Sequence, residues 1–598
     1  MSTALRAAVS VAMLVGFYVL GLLQLALVGW LIYEIWAHSH SAGAAKLSWL
    51  LLAAVGAVLV GLWKAIRAQP GEPEGLLLGP EQAPDLWRTV REMAAEAGTR
   101  APDEIRLVPE VNAAVSEDTK ALGLIAGTRR LYLGMPLLQT FTVDQLRSVI
   151  AHELGHYSGS HTRLSAVAYR GRAAMHETLS RVGKWNVFGW VFKGYGMLYL
   201  LVSNAVTRRQ EFEADQVSVR VAGVEAAVSA MRELPVVDTA WDFYFGRYVA
   251  YGWEHGYAPD DIFGGFGQLY AARTEELARL RDEEPDSETS RWDTHPAIGV
   301  RIEAMRALPP VQHAPDRRPA SSLLHLDGAG LALQAAVVDF GPRTVLPWAD
   351  FTAASIIAVQ QRRADQVFRS AARLLGVQEA GLADIFDLVA ADRLGELTAD
   401  LMDDLITLAA VRSGAARWQH SWSAPARLTD VHGQPVDYAE IAKLAVSPAT
   451  VGEARQRLAA IGIHVEAARV VETKATASGS DVIGAMANVR IDEQEHDLIL
   501  LDRGFLFVPA PNSTSEGEQR LHQLLSNNDP AVLAQHYRFV PYEEVTGARI
   551  TKAVPINAEL DLHGGATVSI KERWSSDQLG KSRDTLEAVL NRINGRAE

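Results

Sequence analysis

The chain has 598 residues, a net charge of −14 and no cysteine, so one hydrophobic core cannot hold it and neither disulfides nor thiolate metal sites are open to it. An acidic chain without a long basic run is not expected to bind nucleic acid. Three or four domains are expected, with the heaviest apolar load at the start of the chain.

Ala7 to Tyr33 is an almost unbroken apolar run, interrupted by Gln24 and a few small polar residues. At 1.5 Å per residue it is long enough to cross a hydrocarbon core of roughly 30 Å with some tilt. A second run covers about 47–66, and Trp30, Trp36, Trp49 and Trp63 stand toward the ends of the two, where amphipathic rings favour the membrane interface. A signal peptide is the rival reading, but the first run is too long for one and a second follows it. Residues 1–68 are therefore expected to form a transmembrane hairpin. Arg6 precedes the first span, Lys64 and Arg67 follow the second, and the connecting loop holds only Lys46. The positive-inside rule then places both ends in the cytoplasm, as in a multi-pass plasma-membrane protein whose main body faces inward.

A strand-like run, Ile105 to Val111, leads into Asn112-Ala113-Ala114. Thr142-Val143-Asp144 is a plausible cap for a helix carrying Leu146, Val149, Ile150 and then the motif HELGH, His152 to His156. Residues four apart share a helix face, so His152 and His156 can grip one metal ion. Glu153 lies beside that face, where a carboxylate can take a proton from a metal-bound water. Gly155 is a poor helix former in mid-pattern, and its missing side chain leaves room for another segment.

Trp185 to Ala205 is a third apolar stretch, ahead of the motif EFEAD at Glu211 to Asp215. One crossing there would put Glu211 across the membrane from His152, which coordination at about 2 Å forbids. The stretch therefore reads as a buried or membrane-facing helix wall. Glu211 offers a hard oxygen ligand and completes a His2Glu set with one open position, the arrangement of catalytic rather than structural zinc. Manganese or cobalt could also occupy such a set. Arg208 precedes Glu211 by three residues on the same face and is expected either to pair with a carboxylate or to be solvated. Glu213 is expected to point away. His161, His176 and His255 have no partner in sequence and are expected on the surface.

HELGHYSGSH, then Thr207 to Asp215, then Thr294-His295-Pro296 with Arg301-Ile302, resembles peptidase family M48, which holds the HtpX-type membrane proteases and the CAAX prenyl proteases. The resemblance covers roughly residues 70 to 310. It implies a zinc metallopeptidase domain over 69–307, of the zincin (gluzincin) type, mainly α with a small edge sheet. It further implies one Zn2+ per chain, held by His152, His156 and Glu211, with Glu153 as general base. Asp215 would be a carboxylate that orients a ligand histidine, and His295 would lie beside the metal as oxyanion stabiliser or switchable ligand. A plain helix-start role for His295, next to Pro296, is the alternative. Asn112 stands where related peptidases carry an Asn-Ala motif on an edge strand, although Ala114 replaces the aromatic common there. Such a strand can bind an extended peptide by strand addition.

Residues 308–322 are rich in Pro, Arg and Ser and read as a linker. Residues 323–472 carry helical patterns, for example Val367, Ala371, Leu374 and Leu375, and form the expected helical middle domain. Glu472 to Ser480 reads as a second linker. Over 481–598 the period changes: Leu498 to Leu501 with Phe505 to Val508, and Glu559 to Leu562 with Thr567 to Ile570, look like hairpins. Leu579, Leu586, Val589, Leu590 and Ile593 mark a closing helix with Ser576 as its cap. This pattern resembles a pleckstrin-homology-like (PH-like) β domain. Its acidic residues argue against strong attraction to an anionic leaflet.

The whole reads as a membrane-anchored multidomain zinc endopeptidase whose partners are the lipid bilayer and polypeptide substrates, misfolded membrane proteins among them. A prenyl-protein processing peptidase and a non-catalytic, metal-stabilised membrane scaffold with a C-terminal binding module are the alternatives. Glu153 argues against the scaffold, because a structural metal site has no use for a base.

Overall fold

In the computed structural model the first apolar run is a single helix, α1 (Thr3–His38), with Leu22, Leu23, Trp30 and Tyr33 exposed along it. The structure describes residues 3–38, 48–49, 73–120, 125–158, 187–285, 295–311, 314–394, 397–510 and 516–594. The second expected span, apart from Ser48 and Trp49, lies outside these, as do His161 and His176. Among the described residues, which omit many side chains of α1, no helix is long and apolar enough to cross a membrane. Two units divide the chain: residues 1–245 with 261–339, and residues 246–260 with 340–598.

The first unit holds a four-stranded sheet of β1 (Leu76–Leu78), β2 (Glu104–Val108), β3 (Ala113–Lys120) and β4 (Ile125–Gly134), with α2 (Pro84–Ala97) between β1 and β2. The order is β1-β2-β4-β3, so β3 is an edge strand, antiparallel to β4. Ile105, Leu107, Leu131 and Leu133 alternate onto the buried side. The expected strand 105–111 ends sooner, at Val108, and Asn112 falls on the connection into β3.

Helix α3 (Val143–Gly155) opens as its sequence predicts: the Thr142 side chain accepts from the Gln145 N–H and the Gln145 side chain returns a bond to Thr142, a capping box. Its buried Leu146, Ile150 and Leu154 stand at four-residue spacing. Helix α4 (Val187–Ala222) takes in most of the third apolar stretch and continues through EFEAD. Close packing of α3 and α4 depends on Gly155, where an added Cβ would lie 3.1 Å from Ala214 Cα. The unit also contains α5 (Val224–Tyr244) and α6 (Ile298–Arg306). The segment that reads as a linker, 308–322, is bonded into this unit. Val143 N–H donates to the Arg318 carbonyl (2.8 Å) and Ala320 N–H to the Phe141 carbonyl (2.8 Å), so an otherwise orphaned donor of α3 finds its acceptor there.

In the second unit α7 (Trp348–Leu375), α8 (Leu382–Ala390), α9 (Ala399–Arg412), α10 (Ala439–Ala445) and α11 (Val451–Ala460) share a core that includes Phe368, Ile385, Phe386, Leu405 and Leu458. Seven antiparallel strands follow: β5 (Val482–Ile491), β6 (Gln494–Leu501), β7 (Gly504–Pro509), β8 (Arg538–Pro541), β9 (Val545–Lys552), β10 (Asn557–Leu562) and β11 (Thr567–Lys571). Their order is β8-β7-β6-β5-β11-β10-β9. Helices α12 (Gly517–Asn527) and α13 (Pro530–His536) cover one face through Leu521 and Leu533. Leu586, Val589, Leu590 and Ile593 of α14 (Ser582–Asn594) fill the core on the other.

Both expected hairpins are present as β6–β7 and β10–β11. Ser576 is not the cap of α14. The helix begins six residues later, and the Ser576 hydroxyl donates to the Asn488 carbonyl instead (2.9 Å). His255 is not a free surface residue either, since both its ring nitrogens are buried. The stretch 472–480 is tied down at its start, where the Asp365 carboxylate accepts the N–H groups of Val471 (2.9 Å) and Glu472 (3.0 Å).

Candidate metal centre

Helix α3 supplies His152, Glu153 and His156, and α4 supplies Glu211 and Asp215. The Nε2 atoms of His152 and His156 face each other at 3.2 Å. Glu211 completes the triangle, with Oε2 3.4 Å from His152 Nε2 and Oε1 3.6 Å from His156 Nε2. Three ligands bonded at about 2.0–2.1 Å to a tetrahedral zinc stand roughly 3.3 Å from one another, so this triangle fits such an ion. Glu153 also lies within 4.8 Å of both rings. Glu211 is the better third ligand, because its oxygens close the triangle, while Glu153 lies where a base beside the metal is needed.

Around the triangle stands a second set of bonds. Asp215 Oδ1 lies 3.0 Å from His152 Nδ1, which turns Nε2 toward the site. Arg301, buried on α6, grips Asp215 with Nε (2.9 Å) and Nη2 (2.6 Å), and its Nη1 lies 3.2 Å from Glu211 Oε2. His295 Nδ1 is 3.1 Å from the same Glu211 oxygen, on a side chain that is 64% exposed. His295 is not the cap of α6, which is Ala297.

The protonation pattern follows from these neighbours. Burial works against a charged His152, but hydrogen bonds to Asp215 and Glu211 outweigh it and hold the ring up at about 9. Burial and the neighbouring His152 push His156 down to about 4. At 3.2 Å one of the two Nε2 atoms donates and the other accepts. Burial raises Glu153, opposed by the His152 charge and by the Val115 N–H that its carboxylate accepts. Burial also acts against the ionised forms of Glu211 and Asp215, yet both are lowered, Glu211 by His152 and His295 and Asp215 by Arg301 and His152.

The sequence reading brings His152, Glu153, His156, Glu211, Asp215 and His295 together, and the structure places all six at one site. Arg301 was noted there only as part of a motif, with no role. Its partners lie far back in the chain, and only the pairing of a buried cation with two carboxylates gives it one. Arg301 is a cation on those carboxylates. Asn112 lies at the start of the edge strand, its carbonyl accepting the Gly134 N–H (2.7 Å), and the strand residue that reaches Glu153 is Val115. Arg209 pairs with Glu213 (3.6 Å), which stands partly exposed.

Residues 80–308 match the family model described as Peptidase family M48. A protein named Protease HtpX homolog from Limosilactobacillus fermentum is 24% identical over 252 residues, which is 38% of this chain and 74% of that protein. Proteins named Protease HtpX from Ectopseudomonas mendocina and Pseudomonas putida are each 29% identical, over 169 and 171 residues, 25% of this chain. The chain spans about half, 56%, of the length of these two relatives. No solved structure matches the chain.

Proposed function

Residues 80–308 being a peptidase domain of family M48, we propose that the chain is a membrane-anchored, zinc-dependent endopeptidase acting on unfolded polypeptides at the membrane. The observation that carries this is the triangle of His152, His156 and Glu211 with the raised carboxyl of Glu153 beside it. Zinc held by that triangle would supply Lewis acidity toward the scissile carbonyl and make the attacking water more acidic. Glu153 takes the proton of the attacking water and returns it to the leaving amine, a task suited to a carboxyl that burial raises. His295, exposed and beside Glu211, is placed to turn and donate to the developing oxyanion. Asp215 and Arg301 keep the His152 ring and the Glu211 carboxylate in register.

Edge strand β3 supports a polypeptide substrate, since its free side lies against Glu153 and can pair with any extended chain. Membrane attachment rests on the apolar run within α1. The C-terminal strand order supports the PH-like reading of residues 481–598, a binding or regulatory module.

Casein cleavage by detergent-purified protein, with and without chelator and beside Glu153→Ala, tests the proposal. Activity lost in both controls and restored by zinc after chelation is expected. Cleavage that survives chelation or Glu153→Ala would overturn it.

A further inference from the structure

Tyr157 follows α3 by two residues, its N–H bonded to the Leu154 carbonyl (3.0 Å). Its hydroxyl reaches the edge strand and donates to the Val115 carbonyl at 2.7 Å. In an antiparallel strand successive residues turn their polar groups to opposite sides. Val115 is therefore a rung on the free side of β3, away from β4, where a peptide would pair.

Tyr157 is itself firmly seated. The Arg129 guanidinium lies 4.8 Å over its ring, and its carbonyl accepts the Thr99 hydroxyl (2.9 Å). Arg129 is buried and fixed by bonds to Thr99 Oγ1 (3.0 Å) and the Arg100 carbonyl (2.6 Å). Residues of β4 and of the α2–β2 connection thus hold the ring and the carbonyl of Tyr157.

We propose that Tyr157 is a positioning residue that holds the edge strand at working distance from the catalytic helix and fixes the register of the bound peptide. The proposal rests on the peptidase reading above. Tyr157 keeps the strand in place while an extended chain pairs with it. Because its hydroxyl occupies the Val115 carbonyl, a substrate can use only the N–H half of this rung.

The test is Tyr157→Phe in the full chain, purified in detergent and loaded with zinc, since this change keeps the ring under Arg129 and deletes one bond. KM for an extended fluorogenic peptide should rise about fivefold, the size of one net hydrogen bond, with kcat within about twofold. Cleavage sites in casein should become less uniform, amide exchange over 113–120 should accelerate, and zinc content should be unchanged. Unaltered KM and unaltered exchange in a folded, zinc-loaded variant would overturn the proposal. A fall in kcat alone would do so too, because it would place Tyr157 on the reacting atoms. If the unaltered protein cleaves nothing, the peptidase reading fails, while the exchange measurement still decides whether the hydroxyl holds the strand. Arg129→Lys, which leaves the hydroxyl but loosens the ring, should move KM and exchange in the same direction by a smaller factor. It carries the test if Tyr157→Phe does not fold.

Discussion

His152 is held toward its protonated form by Asp215 and Glu211, so a metal ion competes with a proton there and metal loading becomes a matter of pH. His152 is raised to about 9 from 6.5, so the stability it lends the metal-free protein is complete below pH 6.5 and lost as pH rises through 9. His156 is lowered to about 4, so its contribution is complete above pH 6.5 and lost as pH falls toward 4. The metal-free peptidase unit should therefore be most stable near pH 6.5, which thermal melts across pH 4–9 would check. Zinc must displace the His152 proton, so affinity should rise with pH up to about 9, with close to one proton released per ion at pH 7. Calorimetry in two buffers of different ionisation enthalpy reads that number directly. Arg301→Met should weaken zinc binding by about 10–100-fold, because it leaves Asp215 and Glu211 without their shared cation. A competition titration with a chromophoric chelator measures this, and an unchanged affinity would show the clamp to be dispensable. The two histidines were legible from four-residue spacing alone. Arg301 was not, because a clamp is a fact about distance in space and nothing near it in sequence announces its partners.

At the scale of elements, the contact between α3 and α4 is where ligand geometry is decided. Gly155→Val should destabilise the peptidase unit by about 1–3 kcal/mol, since its branches would press on Ala214 and Val217. The same change should lower zinc affinity, because α3 and α4 each bring part of the triangle. Normal melting and normal affinity would mean that the helices simply slide apart. The sequence foretold this packing through the glycine of HELGH, which turns out to close α3, as it foretold the capping box of α3 and the two hairpins. It did not foretell where α14 begins. Ser582 is the serine used there, accepting the Ala485 N–H (2.9 Å). Ser576 has the same chemistry but a different partner, Asn488, and local pattern does not distinguish the two.

Over the whole molecule, polar, proline-rich stretches proved a poor guide to where the chain comes loose. Residues 308–322 close hydrogen bonds onto the start of α3, and Asp365 receives Val471 and Glu472 at the end of the helical layer. Composition reports that a segment need not pack, and says nothing of whether its backbone is bonded. Arg369 of α7 also reaches Glu543 beside the sheet (2.6 Å), so α7 spans helices and strands of the second unit. Asp365→Ala should therefore destabilise residues 340–598 by about 1–2 kcal/mol, leaving two part-buried N–H groups without their carboxylate, while zinc still protects the first unit. Hydrogen exchange resolved by segment would show it, and loosening confined to 471–480 would refute it. Helix α4 has a further consequence. Tyr195 near its start donates to the Met13 carbonyl of α1 (2.6 Å), and Glu211 stands further along the same unbroken helix. At 1.5 Å per residue the two are about 24 Å apart. No loop intervenes to lengthen or shorten that interval, so α4 acts as a ruler, and whatever fixes the height of α1 fixes the height at which a chain can be cut.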